Sequence, residues 1–480
     1  MKIHIIGAGI GGLSCAAVLA KNGFEVVVLE QNDYFGGKAN RISEEGFEFD
    51  TGPSLLTYPD WFDELFISCG KNPRDYYKFQ RLNLITRYFV SNKVVDVMSD
   101  IEETADNFEN KFGLNKKDFL KYINKWIRIY NISEKIFLLK ELKFNLLFFK
   151  NAIKWLFSTG FSNILQSMSS YNRRLENKYV EPIMNRFATY TGSSPYKTPA
   201  FMNQLAIVEM INGGYYPEDG IHSIPKAIYK LCLEMGVQFV FNTKIDEIKY
   251  ERQSFNISSG AKSYKSSVVI SNVDYYHTQF LFNRKVNTSY SKLSTSAIVF
   301  YWGVKINSDK LKLHNILFSK NYENEFSQIF EQGILPDDPT IYINITSKIN
   351  SQHAPKDCEN WFVMVNTPAN LEIDNQENIE KIKKVIIKKI EEKIDENLSK
   401  LIIYENILTP KSLSTNTGSY LGSLYGDNQN SLNAIVNRKK NTDPTYNNLY
   451  YVGGTVHPGG GMPLALRSGI NVAKKIINEA

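Results

Sequence analysis

Residues 2–31, KIHIIGAGIGGLSCAAVLAKNGFEVVVLEQ, leave the chain little freedom of fold. An apolar run of strand length, Lys2–Ile6, leads straight into Gly7-x-Gly9-x-x-Gly12. An Ala/Leu-rich helix follows to about Asn22 with Gly23 as its cap, and a second buried strand, Glu25–Leu29, ends in Glu30. The spacing has a steric logic. Gly7 permits a tight turn, Gly9 (with Gly11 in the same turn) lets a pyrophosphate reach the backbone, and Gly12 lets the helix pack on the strand. The pyrophosphate would rest on the helix N-terminus, where free N–H groups and the dipole favour an anion. Glu30, followed by Gln31, stands where a carboxylate accepts hydrogen bonds from a ribose diol, and it would repel a 2′-phosphate, which disfavours NADP.

The same segment carries no charge from Ile3 to Ala20 and so imitates a signal peptide or a membrane span. Cleavage there would remove the first strand, and lysines interrupt the other apolar runs, so no transmembrane helix is expected. A length of 480 residues suggests two or three lobes, and 43% hydrophobic with 22% charged residues is a globular rather than a disordered balance. The net charge of +6 permits attraction to anionic lipid, but no basic cluster alternates with base-stacking aromatics, so no nucleic-acid partner is expected. Four scattered cysteines without a CxxC pair, and six histidines without ligand spacing, point to a reducing, cytoplasmic setting and to no metal site.

Two later glycine clusters extend the cofactor reading. NDYFGGKANR, 32–41, places Gly36-Gly37 beside Lys38 and Arg41. A nicotinamide carrier needs no such second loop, whereas FAD, stretched across the domain, gains backbone and cationic contacts from it. GGTVHPGGGMPLALRSG, 453–469, packs five glycines into its first nine residues, a density that signals close approach to the backbone. Pro463 suits the first turn of a helix running to about Asn478, with Lys474 and Lys475 toward its C-terminal end. His457 and Arg467 are the candidate catalytic side chains; a structural hydrogen bond for His457 and a buried ion pair for Arg467 are the alternatives.

With the FGGKANR loop and the opening thirty residues, the blocks FDTGPSLLTYPDWFDELF (49–66), YTGSSPYKTPAF (190–201), GGYYPEDGIHSIPKAI (213–228), GSYLGSLYG (418–426) and LYYVGGTVHPGGGMPLAL (449–466) span nearly the whole chain. In this order they resemble the FAD-dependent carotenoid desaturases of the phytoene desaturase type, within the wider amine oxidase-like flavoproteins. The resemblance implies an α/β fold: a discontinuous Rossmann-like FAD-binding domain from 1–70, 221–290 and 405–480, and an α+β substrate domain with a helical membrane-facing lobe from 71–220 and 291–404. It implies that strand Leu449–Val452 lies beside the N-terminal unit. Gly453, Gly454, Gly460, Gly461, Met462 and Pro463 would then follow the flavin, with the next helix pointing its N-terminus at the pyrimidine edge. Ile245 would give backbone contacts near the adenine, with Asn272 close by.

The activity so implied is CH–CH oxidation of a carotenoid taken from the membrane by a peripherally bound enzyme. Hydride would pass to the flavin, and a quinone or oxygen would reoxidise it. Lys38 stands where many relatives carry Arg, and the form HPGGGMPL is closer to members acting on hydroxylated or otherwise modified carotenoids. A 3,4-desaturase of such a substrate, an isomerase or oxygenase on the same scaffold, and a non-catalytic lipid binder are the alternatives. Between the blocks, residues 70–220 read mainly as helices, and Phe137–Trp155 forms a basic amphipathic stretch suited to a membrane interface. Residues 236–259, 265–274 and SAIVFYWGV (296–304) read as strands, and 376–395 as a Lys/Glu-rich helix.

Overall fold

The computed structural model describes residues 2–134, 146–160 and 162–479. Lys140 and Lys143 of the amphipathic stretch lie outside the described residues. A five-stranded, wholly parallel sheet runs in the order Leu449–Tyr451, Val268–Ser271, Lys2–Ile6, Glu25–Leu29, Gln238–Val240. Strands buried on both faces carry apolar residues in unbroken runs, which is why KIHII and EVVVL do not alternate with polar residues. Ile3, Ile5, Val26 and Val28 face a layer of helices formed by Ile10–Lys21, Ser223–Glu234 and Met462–Glu479. Ile6, Val27 and Leu29 face the other way, toward the antiparallel strands Glu247–Glu251, Ser254–Ser259 and Lys262–Ser266. The charge-free run is thus one strand and one core helix. The C-terminal strand does not touch the first strand: Val268–Ser271 lies between them, which corrects the expected adjacency.

A second, mixed sheet of seven strands has the order Ile402–Leu408, Ser296–Val304, Glu359–Thr367, Ile341–Ile345, His314–Leu317, Leu84–Val90, Lys93–Met98. Leu84–Val90 and Lys93–Met98 fall in the segment expected to be mainly helical; alternation in LITRYFV and KVVDVM, with one face on the core, makes them strands. Strand Ile402–Leu408 pairs with Ser296–Val304, so the chain stays in this sheet through 408 rather than leaving it at 404. Helix Gln376–Ile394 covers the sheet with Ile382, Ile386, Ile390 and Ile394, a four-residue stripe, and leaves most of its lysines and glutamates outward, Lys389 being drawn in to Asp338. A helical lobe including Ile101–Phe112, Lys116–Ser133, Leu146–Thr159 and Leu205–Met210 encloses a third apolar cluster with Trp126 at 0% exposure. Among the described residues no helix is long and apolar enough to cross a membrane.

The helices at the two ends of the chain pack tightly against each other. Helices Ile10–Lys21 and Met462–Glu479 cross at Gly469, where a Cβ would lie 2.2 Å from both the Gly11 carbonyl and Ser14 Oγ. Ser14 Oγ donates to the carbonyls of Gly11 and Leu466 at the same point. Both colliding groups belong to a rigid helix, so relief requires the helices to separate. Gly469→Val is therefore expected to destabilise the protein by about 3 kcal/mol or more. A denaturant midpoint unchanged from wild type would show that the crossing tolerates a side chain.

Candidate functional site

A cavity of about 1280 Å³ begins at the C-terminal ends of the parallel strands and runs between the seven-stranded sheet and the helical lobe. Its first part is built from glycine turns. Gly9 is the N-cap of helix Ile10–Lys21, with no side chain bonded to the helix start and no acidic residue in the first turn, so the terminal N–H groups are left for a ligand. The second loop lies against the first: Gly36 bridges Gly9, donates its N–H to the Ala8 carbonyl at 2.9 Å, and Gly37 follows on the cavity wall. Gly7, Gly9 and Gly11 line the cavity. Gly12 does not: a Cβ there would meet the Gly7 carbonyl at 2.3 Å, so its role is helix-on-strand packing.

Glu30 is buried at the end of its strand. Its carboxylate accepts the Ala8 N–H at 2.7 Å and the Asn32 N–H at 3.0 Å, and burial raises its pKa against those bonds. Four lone-pair directions leave acceptor capacity for a ribose diol. Gln31 lines the cavity but spends its amide on the Asn416 carbonyl at 2.9 Å, tying this strand end to helix Pro410–Thr417. Ile245, buried, closes the same end with Thr243, whose N–H donates to the Glu30 carbonyl at 2.8 Å. Asn272 sits at the centre. A Cβ at Gly9 would lie 2.6 Å from its amide nitrogen, and one at Gly11 2.7 Å from its amide oxygen. Gly9 is thus bare for Asn272 as well as for any phosphate.

The C-terminal glycine stretch forms the opposite wall. Gly453, Gly454, Gly460, Gly461, Met462 and Pro463 all line the cavity, and helix Met462–Glu479 starts there. The Gly453 N–H donates to Ser468 Oγ at 2.7 Å. Gly460 differs from expectation: a Cβ on it would meet the Tyr425 ring at 2.3 Å, so the missing side chain makes room for an aromatic wall. Arg438, which the sequence reading missed, is buried behind this stretch and donates to the carbonyls of Val456 at 3.1 Å and Gly454 at 2.5 Å.

The two candidate catalytic side chains part company. His457 lines the cavity, preceding a cis bond to Pro458. Arg467 does not line it. Its side chain turns to helix Pro59–Ser68, bonds Glu64 at 2.5 Å and stacks 4.6 Å over Trp61. The side chain is engaged by Glu64 and Trp61 rather than by the cavity, so the ion-pair alternative is the one observed. Lys38 also corrects its simple reading as a phosphate-facing cation. It donates to the Leu424 carbonyl at 2.6 Å, and burial, partly offset by Asp274, lowers its pKa to about 8.

Beyond the glycine walls the lining turns apolar, with Val299, Ile316, Phe362 and Met364 from the sheet and Trp155, Phe201 and Val208 from the lobe. Arg186 and Glu209 face this part, paired at 2.5 Å, and no spacing or charge pattern around either one set it apart in the sequence.

The Lys38 shift gives a testable sign. A lysine with a folded pKa near 8 and an ordinary value of 10.5 destabilises the fold fully below pH 8, and the penalty fades as pH rises toward 10.5. Without ligand, Lys38→Met should therefore gain melting temperature relative to wild type most strongly near pH 7, and the gap should narrow through that window. A gap independent of pH would contradict the buried ammonium.

The cradle thus offers bare helix N–H groups, a buried carboxylate acceptor and turns without room for a Cβ, a donor set that fits an anionic dinucleotide. Residues 5–66 match the family model for an NAD(P)-binding Rossmann-like domain. The chain is 38% identical to a 1-hydroxycarotenoid 3,4-desaturase of Flavobacterium sp. over 99% of both chains. It is 33% identical to a 4,4′-diaponeurosporene oxygenase of Staphylococcus aureus, covering 99% of this chain and 97% of that one. In fold it is similar to the cyclohexylamine oxidase of Brevibacterium oxydans, with a TM-score of 0.63 at 12% identity over 100% and 99% of the two chains. A dinucleotide cradle, an apolar cavity continuous with it and full-length similarity at this level lead to one conclusion: the chain belongs to the carotenoid desaturase family of oxidoreductases.

Proposed function

We propose that the protein is an FAD-dependent carotenoid desaturase that takes an apolar polyene from a membrane surface. The observation that carries this reading is the continuity of one cavity from glycine-walled cradle to apolar walls. Bound there, FAD would supply the two-electron acceptor for a hydride leaving one C–H bond of the substrate, while the adjacent carbon loses a proton to a base at the cavity wall, for which His457 is the candidate. The chain's own part is positioning. The helix start at Gly9 holds the pyrophosphate, Glu30 holds the ribose diol, and Ile245 closes the adenine end. The N-terminus of helix Met462–Glu479 faces the cavity and stabilises negative charge developing beside it. Tyr425, held by Arg438 through its carbonyl, and the sheet residues Tyr301 and Phe362 keep water from the reacting bond. Of the two candidate catalytic side chains, His457 is the one that lines the cavity. The segments 1–70, 221–290 and 409–480 serve the cofactor, and the rest serves the substrate.

Loading from a membrane is supported by the side chains exposed beside the cavity lining. Trp155, Leu156 and Ile164 line it, and beside them Phe157, Leu165 and Ile153 are 83%, 72% and 54% exposed, next to exposed Lys150 and Lys154. Apolar side chains exposed together with lysines suit the interface of an anionic bilayer. A quinone or oxygen is the electron acceptor in this reading.

Two experiments test it. Purified protein should be yellow with flavin absorption, and an acyclic carotenoid should gain one or more conjugated double bonds, read as a red-shifted polyene spectrum. An oxygen-containing product would instead favour the oxygenase activity that the Staphylococcus relative is named for. Separately, replacing Ile153, Phe157 and Leu165 together by serine should reduce binding to anionic liposomes at least tenfold, at about 1 kcal/mol or more per buried apolar side chain. Equal liposome binding would remove this patch as the docking site.

A further inference from the structure

The apolar part of the cavity contains a polar group that an unsubstituted hydrocarbon cannot use. Arg186, Glu209 and His314 line it with only 7%, 1% and 2% of their surface exposed. Arg186 donates from Nη2 to Glu209 at 2.5 Å and from Nε to Tyr88 Oη at 2.6 Å, and Tyr190 Oη donates to the other Glu209 oxygen. No partner accepts from Arg186 Nη1 among the described residues. His314 makes the second open donor. Its Nδ1 faces the Asn344 amide nitrogen at 3.1 Å, which can only donate, and the Tyr342 hydroxyl at 2.7 Å. Nδ1 must therefore accept, which puts the ring proton on Nε2. His314 Nε2 is buried and has no hydrogen-bond partner among the described residues. Burial, with Arg186 nearby, lowers the His314 pKa to about 3, so the ring stays neutral and keeps that single donor.

Buried polar groups in proteins are normally paired, and an ion pair placed against an apolar tunnel gains little stability over hydrophobic residues of the same size. Two donors left open in one cavity, beside a carboxylate able to accept another hydrogen, call for a ligand oxygen. We infer that Arg186, Glu209 and His314 form a polar subsite for an oxygen substituent, a hydroxyl or carbonyl, on the polyene substrate. The inference rests on the desaturase reading above and narrows its substrate class from hydrocarbons to oxygen-bearing polyenes. A hydroxyl satisfies the site best, because it accepts from Arg186 Nη1 or His314 Nε2 and donates to Glu209. A hydrocarbon leaves Arg186 Nη1 and His314 Nε2 without an acceptor, and a site built to hydrogen-bond an oxygen discriminates against the analogue that lacks it.

The test is a ratio of affinities. FAD-loaded protein in detergent micelles is titrated with lycopene and with lycopene bearing one terminal hydroxyl, read by fluorescence quenching. Wild type should bind the hydroxylated polyene about 10- to 100-fold more tightly. The double variant Arg186→Met/Glu209→Leu removes both charges together, so neither is stranded, and should bring the ratio to within about threefold. His314→Phe should lower the ratio severalfold, and carries the test should the double variant not fold. A wild-type ratio near one overturns the subsite, as does a full ratio retained in either folded variant. Product analysis of the same samples keeps the two readings apart. The expected ratio without a new double bond would refute the desaturase and leave the subsite standing, and desaturation of both polyenes at equal affinity would do the reverse.

Discussion

The amide of Asn272 occupies the point where three distant parts of the chain converge, and the arrangement of the cradle depends on it. Side chains at Gly9, Gly11 and Gly453 would come within 2.6, 2.7 and 2.9 Å of that amide. Its own N–H donates to the Ile6 carbonyl at 2.8 Å, which anchors it at the end of the first strand. A residue following strand Val268–Ser271 can reach both glycine turns only because that strand is inserted between the first and the last of the sheet. The same insertion brings the two terminal helices together at Gly469. Glycines that each suggest contact with a ligand therefore also serve one another, and several are required by protein atoms before any cofactor binds.

The cavity divides its electrostatics between two regions. At the strand ends lie open helix N–H groups, Glu30 held by the Ala8 and Asn32 N–H groups, and Lys38, which donates to the Leu424 carbonyl with Asp274 acting on its charge. Farther in, burial opposes the Arg186 charge, and Glu209, Tyr88 and Tyr190 around it more than offset that, holding its pKa well above the ordinary value. These groups lie on different elements, with Arg186 following helix Val180–Asn185, Glu209 on Leu205–Met210 and Tyr88 on a strand of the seven-stranded sheet. The cluster consequently joins the helical lobe to the sheet at the place where the substrate cavity passes between them.

Fold class was legible from local signals. The strand–glycine–helix–strand unit needs only neighbouring residues to define it, and so does the isoleucine stripe of helix Gln376–Ile394. Glu30 was legible because the fingerprint places an acid at a set distance from the turn. Strands Leu84–Val90 and Lys93–Met98 were not, since short alternating segments inside a long helical region are decided by the partners that pair with them. Which of its two expected roles Arg467 takes was not legible for a related reason. Helical position is readable from sequence, but which face meets the cavity depends on where helix Pro59–Ser68 packs.

The sequence by itself determined the dinucleotide-binding unit, the glycine-rich walls and the class of cofactor, because each is written in contiguous residues whose spacing has a steric meaning. Only the tertiary structure decided that Gly460 yields to Tyr425, that Lys38 bonds a carbonyl and that Arg467 turns away from the site. It alone brought Arg186, Glu209 and His314 into one cavity, across 128 positions of the chain from first to last. Hydrogen bonds and van der Waals contacts act over a few ångströms in space whatever the separation along the chain, so a site assembled from distant segments has no signature until the chain has folded.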